Sequence, residues 1–241
     1  MIDVRNLSIG YSGIVLLHDL TFDVAEGDVF VILGGSGCGK STLLRHLVGL
    51  EIPIAGTIQF YCSGPALSGT GPTVGVLFQS GALFGSMTLA QNVALPLQKW
   101  TALDAAAIET IVRAKLRLVG LEGYENHLPA EISGGMKKRA GLARAMALDP
   151  PLLFLDEPSA GLDPVSSAGL DELILALNAS LGVTIVIVSH ELQSIFAIGR
   201  TCIMLDKEAG GIIARGNPVE LRDHSDDPRV VAFFKRQAVA A

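Results

Sequence analysis

The chain is short of the residues that several classes of protein depend on. Three of its 241 residues are cysteine, one is tryptophan, and aromatic residues make up 5%. Cys38, Cys62 and Cys202 are odd in number, unrelated in spacing and contain no CxxC pair, which argues against a disulfide framework or a cysteine-based zinc site. With no secretory leader at Met1-Ile2-Asp3-Val4, they predict a reduced, cytosolic protein. Basic residues are scarce too: 18 Lys and Arg against 24 Asp and Glu leave a net charge of -6, so direct binding to nucleic acid or to an acidic membrane face is not expected. Although 49% of the residues are hydrophobic, long apolar runs are missing. Residues 52–98 contain no charge, yet Gly, Pro, Ser and Gln break them well below the roughly 18 apolar residues that a spanning helix needs. Residues 173–189 are interrupted by Asn178, Ser180 and Gly182 and then turn β-branched, which predicts a helix followed by a buried strand. Any role at a membrane must pass through a partner.

What is present is organised around Gly34-Gly35-Ser36-Gly37-Cys38-Gly39-Lys40-Ser41. This stretch matches G-x-x-x-x-G-K-[ST] at every fixed position, between the apolar run 29–33 and a segment that opens at Thr42 with helical character. Glycines let the backbone wrap a phosphate chain with its amide hydrogens inward and a helix N-terminus behind them. Lys40 is expected to reach the β- and γ-phosphates and Ser41 to ligate Mg²⁺. The alternative, a glycine-rich turn before a helix, does not account for the fixed Lys-Ser pair. Cys38 lies among amides and beside Lys40, a field that favours thiolate; the alternative is a thiol turned inward to fill a gap under the loop.

Ahead of this loop, the alternation in Leu20-Thr21-Phe22-Asp23-Val24 predicts a strand, with Tyr11 upstream as a half-buried β residue or a plate for a nucleobase. Residues 55–61 and 74–79 read as two further strands around a Gly/Ser/Pro loop. Residues 80–150 then turn helical: Ile108, Ile111, Val112, Leu116 and Val119 recur at three-to-four spacing behind a cap at Asp104, with Glu109 and Arg113 one turn apart. Ser133 is placed to cap a helix whose first amides, freed by Gly134 and Gly135, make a second anion site. The Lys and Arg residues that follow read as a solvated face. The apolar run 152–155 ends in Asp156-Glu157-Pro158, and carboxylates at the carboxyl end of a buried strand belong beside a ligand. Asp156 is expected to hold Mg²⁺ through water and Glu157 to act as general base, against the plainer reading of a pair that caps a strand end. His190 closes the next strand at the corresponding end, where it can contact a γ-phosphate. Residues 201–205 and 211–214 flank a Gly-Gly turn as a hairpin, and Asp227-Pro228 opens a last helix.

Together these residues resemble the nucleotide-binding subunit of ATP-binding-cassette (ABC) transporters over essentially the whole chain. The resemblance implies an α/β fold: a P-loop core with an N-terminal antiparallel β subdomain (residues 1–79 and 151–216), an inserted helical subdomain (80–150) and a helical tail (217–241). It makes residues 34–41 and Thr42 the Walker A, Tyr11 the adenine plate, Gln79 the Q-loop residue that binds nucleotide and metal, and Ser133, Gly134 and Gly135 the signature. It makes Asp156 and Glu157 the Walker B pair, Asp163 the D-loop aspartate that belongs to the nucleotide site, and His190 the switch histidine. ATP and Mg²⁺ are the implied ligands, and a second copy of the chain, arranged head to tail, is the implied partner. Residues 78–84 and 92–97, Met136 in place of the usual glutamine, and Asp227-Pro228-Arg229-Val230 resemble the ATPases of Mla/Mce-type phospholipid transporters. That likeness implies an integral-membrane permease that holds this chain peripherally at the cytoplasmic face of the bacterial inner membrane, with a Mce-type substrate-binding protein and a small STAS-domain subunit as further candidate partners. Residues 61–73 are shorter and less charged than is usual for that group, and little follows the last helix. The alternatives are an ABC transporter of other cargo, such as an amino-acid importer, and a soluble ABC ATPase of translation or DNA repair; the single cassette and acidic balance stand against the latter.

Overall fold

The computed structural model describes residues 1–11, 13–61 and 72–236. In chain order the elements are β1 (Ile2–Tyr11), β2 (Ile14–Val24), β3 (Val29–Gly34), α1 (Lys40–Leu47), β4 (Ala55–Phe60), β5 (Val74–Leu77), α2 (Leu89–Trp100), α3 (Ala105–Leu118) and α4 (Gly134–Ala145). Then follow β6 (Leu152–Asp156), α5 (Pro164–Leu181), β7 (Thr184–Val188), α6 (Leu192–Ile198), β8 (Thr201–Asp206), β9 (Gly211–Gly216), α7 (Pro218–His224) and α8 (Pro228–Lys235). The class is α/β, as expected. The chain forms two compact units, Met1–Tyr61 with Thr184–Ala241, and Cys62–Val183.

In the first unit β1 lies between β2 and β4, antiparallel to both. Its alternation buries Ile2, Val4, Leu7 and Ile9 on one face. A second set of strands is parallel: β3 pairs with β7 (Ile32↔Val188) and with β8 (Gly34↔Leu205), and β9 returns antiparallel to β8. All six residues of β3 are buried, and so are all five of β7. Strands covered on both faces read as continuous β-branched or aliphatic runs, which is why both were legible without alternation. The tail helix α8 is capped by the Asp227 carboxylate, which accepts from Arg229 N–H at 2.8 Å, and it buries Val230 and Phe234 beside Val31, Cys202 and Met204.

In the second unit β5 and β6 run parallel, from Val74↔Leu152 to Leu77↔Leu155. The helices share a core in which Val93 and Leu97 of α2, Val112 and Leu116 of α3, and Ala140 and Ala143 of α4 are all buried. Asp104 caps α3 through Ala107 N–H at 2.8 Å, and Arg113 meets Glu109 at 2.6 Å, both on the expected residues. Asn92, fully buried, donates its amide to the carbonyls of Phe84, Met87 and Thr88 and accepts from Phe84 N–H, so the turn that leads into α2 is folded around one side chain. Among the described residues no helix is long and apolar enough to cross a membrane.

Candidate nucleotide site

In the first unit, β3 delivers the glycine loop to the start of α1. Gly34 has φ +148°, and a Cβ there would be driven into the Leu205 carbonyl and to within 2.6 Å of Cys38 Sγ, so no other residue fits. Gly39 (φ +102°) makes the last turn into α1. Gly35, Ser36 and Gly37 are exposed, and Cβ atoms at Gly35 or Gly37 would meet nothing within 4 Å, so the rim of the loop is open. Lys40, 7% exposed, donates its ammonium to the carbonyls of Gly34 (2.9 Å) and Gly35 (3.0 Å), which draws the loop's two ends onto one charge. Ser41 and Thr42, at the first turn of α1, are half-buried.

The parallel register continues past β7. Ser189 N–H donates to the Ile32 carbonyl at 3.2 Å, which sets His190 level with Gly34 at the carboxyl edge of the strands. Its ring is exposed, with Nε2 3.7 Å from Glu191 Oε1. Tyr11, at the end of β1, is 60% exposed, so the half-buried β residue is not what the structure holds; its ring is open for stacking. Cys38 is also corrected: it is 2% exposed, and burial raises its pKa against the opposing pull of Lys40, so the thiol packs inward. Cys62 lies outside the described residues.

The second unit carries the remaining candidates. The β5/β6 register brings Gln79 and Glu157 to the same level, two residues beyond the pair Leu77↔Leu155. Asp156, the last residue of β6, is half-buried; Glu157 is 7% exposed and takes φ +48°, a left-handed conformation costing on the order of 1 kcal/mol for a non-glycine residue. Ser133 caps α4, accepting from Met136 N–H at 3.2 Å, as its spacing predicts. Gly134 and Gly135 form the exposed to half-buried first turn, where a Cβ would stand in ordinary contact with Leu162 (3.7 Å) and Ser166 (3.5 Å). Asp163 caps α5, accepting from Val165 N–H at 3.1 Å and Ser166 N–H at 3.0 Å, and hydrogen bonds from Ser166 hold its carboxyl below the usual range.

The basic residues of α4 are not the solvated face that their charge suggests. Lys138 is 6% exposed and donates to the carbonyls of Gln79 and, at 2.9 Å, Glu157. Burial holds its pKa below the ordinary lysine value, against Asp156 and Glu157, which pull it up. Arg139 spans the carbonyls of Val119 (3.1 Å) and Gly169 (2.9 Å), and Arg144 those of Ala82 (2.8 Å) and Gly81 (3.1 Å). The reason is that α4 buries two faces at once: Ala140 and Ala143 on one, Gly141 and Leu142 on another. One signal was legible. A glycine inside a helix marks a close approach, and a Cβ at Gly141 would press on Leu77 at 2.7 Å and on the Gly81 carbonyl at 3.0 Å.

A parallel strand, a glycine loop that closes on a lysine, and a helix opening at Lys-Ser define a P-loop nucleotide-binding protein. A profile of the ABC transporter family matches residues 17–160. The chain is 42% identical, over 99% of its length and 70% of the relative's, to the "probable ribonucleotide transport ATP-binding protein mkl" of Mycobacterium leprae. It is 40% identical, over 97% of its length and 88% of the relative's, to the "intermembrane phospholipid transport system ATP-binding protein MlaF" of Escherichia coli K12. It also resembles the solved dimeric post-hydrolysis state of the ATP-binding cassette MJ0796 bound to ADP and Pi: TM-score 0.76, 27% identity, 90% of this chain and 98% of that one. The chain belongs to the ABC transporter family and is an ATP-binding, ATP-hydrolysing cassette.

Proposed function

We propose that two copies of the chain, arranged head to tail, hold MgATP between residues 34–41 of one and the Ser133-Gly134-Gly135 turn of the other, and drive a permease that moves phospholipid between the bacterial inner and outer membranes. The observation that carries this reading is the bareness of Gly134 and Gly135. They open a helix, where glycine is a poorer helix former than alanine, yet among the described residues no backbone outside their own helix comes close enough to require them. A surface kept free of Cβ with nothing inside to explain it suits a ligand brought by another molecule. The likeness to a dimeric cassette supports the arrangement.

In this reading Tyr11 stacks on the adenine. The amides of residues 34–41, with Thr42 behind them, take the phosphates, and Lys40 neutralises the β- and γ-phosphates. Ser41, Gln79 and Asp156 offer hydroxyl, amide and carboxylate oxygens, a hard donor set that fits Mg²⁺, with Asp156 acting through water. The ion, when bound, offsets phosphate charge. Glu157 accepts the proton of the attacking water, His190 contacts the γ-phosphate, and Asp163 completes the nucleotide site from the D-loop. The phospholipid cargo is supported by 40% identity over 97% of the chain to the E. coli protein. In the same reading the chain sits on the cytoplasmic face of the inner membrane, bound to an integral-membrane permease, with a Mce-type binding protein and a STAS-domain subunit as further partners. A ribonucleotide cargo is the second reading, favoured by the printed name of the mycobacterial relative.

The test is Glu157→Gln, which keeps the shape and removes the proton acceptor. MgATP binding is expected to persist while turnover falls at least a hundredfold. Parental turnover in the variant would sink the base assignment. The complex purified from membranes with its permease is expected to transfer labelled phospholipid between vesicles only with ATP and only with the parent chain. ATP-dependent movement of labelled ribonucleotide, with none of lipid, would replace the cargo.

A further inference from the structure

We propose that Lys138 is a positioning residue for ATP hydrolysis: its ammonium ties the Glu157 peptide to the Gln79 peptide and so fixes the carboxylate of Glu157 where it acts. The inference rests on the reading of Glu157 as general base.

The parallel register from Val74↔Leu152 to Leu77↔Leu155 sends two chains out of β5 and β6 side by side, and two residues later they reach Gln79 and Glu157. The pairing of β5 with β6 ends at Leu77↔Leu155, and a contact past that end is what can keep the two chains in register. Lys138, on the second turn of α4, supplies it. One Nζ donates to both the Gln79 carbonyl and the Glu157 carbonyl, the latter at 2.9 Å, in a setting where the side chain is 6% exposed. The Glu157 contact is buried and the Gln79 contact part-buried; a charged donor is stronger than a neutral one, and the exclusion of water around the ammonium strengthens the bond to Glu157 further.

The place held is one that resists being held. Glu157 takes φ +48°, a left-handed conformation that residues bearing a Cβ seldom adopt and that persists where the surrounding structure holds it. A proton acceptor must be kept within a fraction of an ångström of its geometry to be effective, and that depends on the peptide that bears it. Lys138 is therefore a contact through which the packing of α4 bears on the orientation of Glu157. It also makes Gln79 and Glu157 move together, because both carbonyls share one donor.

The experiment compares Lys138→Met, Glu157→Gln and the double variant by steady-state and single-turnover ATPase kinetics, with nucleotide affinity read from a fluorescent ATP analogue. Methionine keeps the length of the stem and removes the donors. Lys138→Met is expected to lower kcat at least tenfold with KM for ATP within about threefold of the parent, a split that general weakening of the fold would not produce. In the Glu157→Gln background the same change is expected to cost less than twofold, since the residue it positions is gone. Parental kcat in Lys138→Met, with Glu157→Gln slow, overturns the inference and leaves the general-base reading standing. A full further tenfold loss in the double variant overturns it as well, because Lys138 would then act other than through Glu157. Parental turnover in Glu157→Gln overturns the base reading and this inference with it. If Lys138→Met does not accumulate as folded protein, Lys138→Gln, whose amide falls one bond short of the carbonyls, is judged on the same kcat and KM criteria.

Discussion

At Gly34 the chain's own atoms demand glycine: φ is +148° and the Leu205 carbonyl and Cys38 thiol occupy the space a Cβ would need. In the first turn of α4 they do not. A Cβ on Gly135 would rest 3.5 Å from Ser166, and the backbone is helical. Gly34 and Gly135, in two turns alike in sequence as anion cradles, thus stand in opposite surroundings: the fold requires glycine at the first, and the described residues do not require it at the second. Composition cannot separate these cases, but substitution can.

The larger effect belongs to the first turn. Gly34→Ala is expected to destabilise the protein by roughly 2 kcal/mol or more, as a strained backbone meets a carbonyl that cannot move aside, and to abolish nucleotide binding with it. Urea unfolding with a parallel ATP-binding assay checks both. A variant with the parental unfolding midpoint would mean that the β3–β8 edge is looser than the pairing of Gly34 with Leu205 implies.

Gly135→Ala sharpens the contrast from the other side. Its stability is expected to be unchanged or higher by up to about 1 kcal/mol, because alanine is the better helix former and meets only an ordinary contact. Binding of ATP to the isolated chain is expected to persist while turnover falls at least tenfold. A stable, binding-competent and fully active variant would remove the argument that the bare turn serves a second copy.

How much of this could be read beforehand follows the same division. The strands β3, β6 and β7 are continuous apolar runs, the caps at Asp104, Ser133 and Asp227 use local chemistry, and the loop 34–41 is a contiguous pattern; each is a property of neighbours in sequence, and each was legible. Lys138 was not. Its partners lie 59 and 19 residues away, at the carbonyls of Gln79 and Glu157, and backbone carbonyls carry no residue identity that a sequence could display. Arg139 escaped for the same reason, with partners at Val119 and Gly169. The exposure of Tyr11 and the burial of Cys38 likewise depend on packing against distant elements.

Cys38 gives the smallest effect and the most direct probe of the first turn. If the loop is fixed from within, its thiol is part of the packing that fixes it, lying 2.6 Å from where a Gly34 Cβ would be. Burial raises the pKa of Cys38, and it pushes that of Cys202 up to about 12 from an ordinary value of 9.0. Both thiols are therefore expected to react with maleimide at pH 8 more than tenfold slower in the native protein than in urea, and the rate at Cys38 should not change with MgATP. Peptide mapping after brief labelling reads this directly, and fast, ATP-protected labelling of Cys38 would put the thiol on the phosphate side of the loop. The same shifts set a slope in stability. As pH rises above about 9 the unfolded chain releases thiol protons that the folded chain keeps, so the folded state loses up to about 1.4 kcal/mol per pH unit for each such cysteine until its folded pKa is reached. Cys202→Val should flatten the part of that slope between pH 9 and 12 that Cys202 contributes, because the side chain is buried in an apolar cluster and valine brings no proton to lose. Unfolding midpoints measured at pH 8 and pH 10 for parent and variant would show the difference, and identical losses in the two would place the alkaline instability elsewhere.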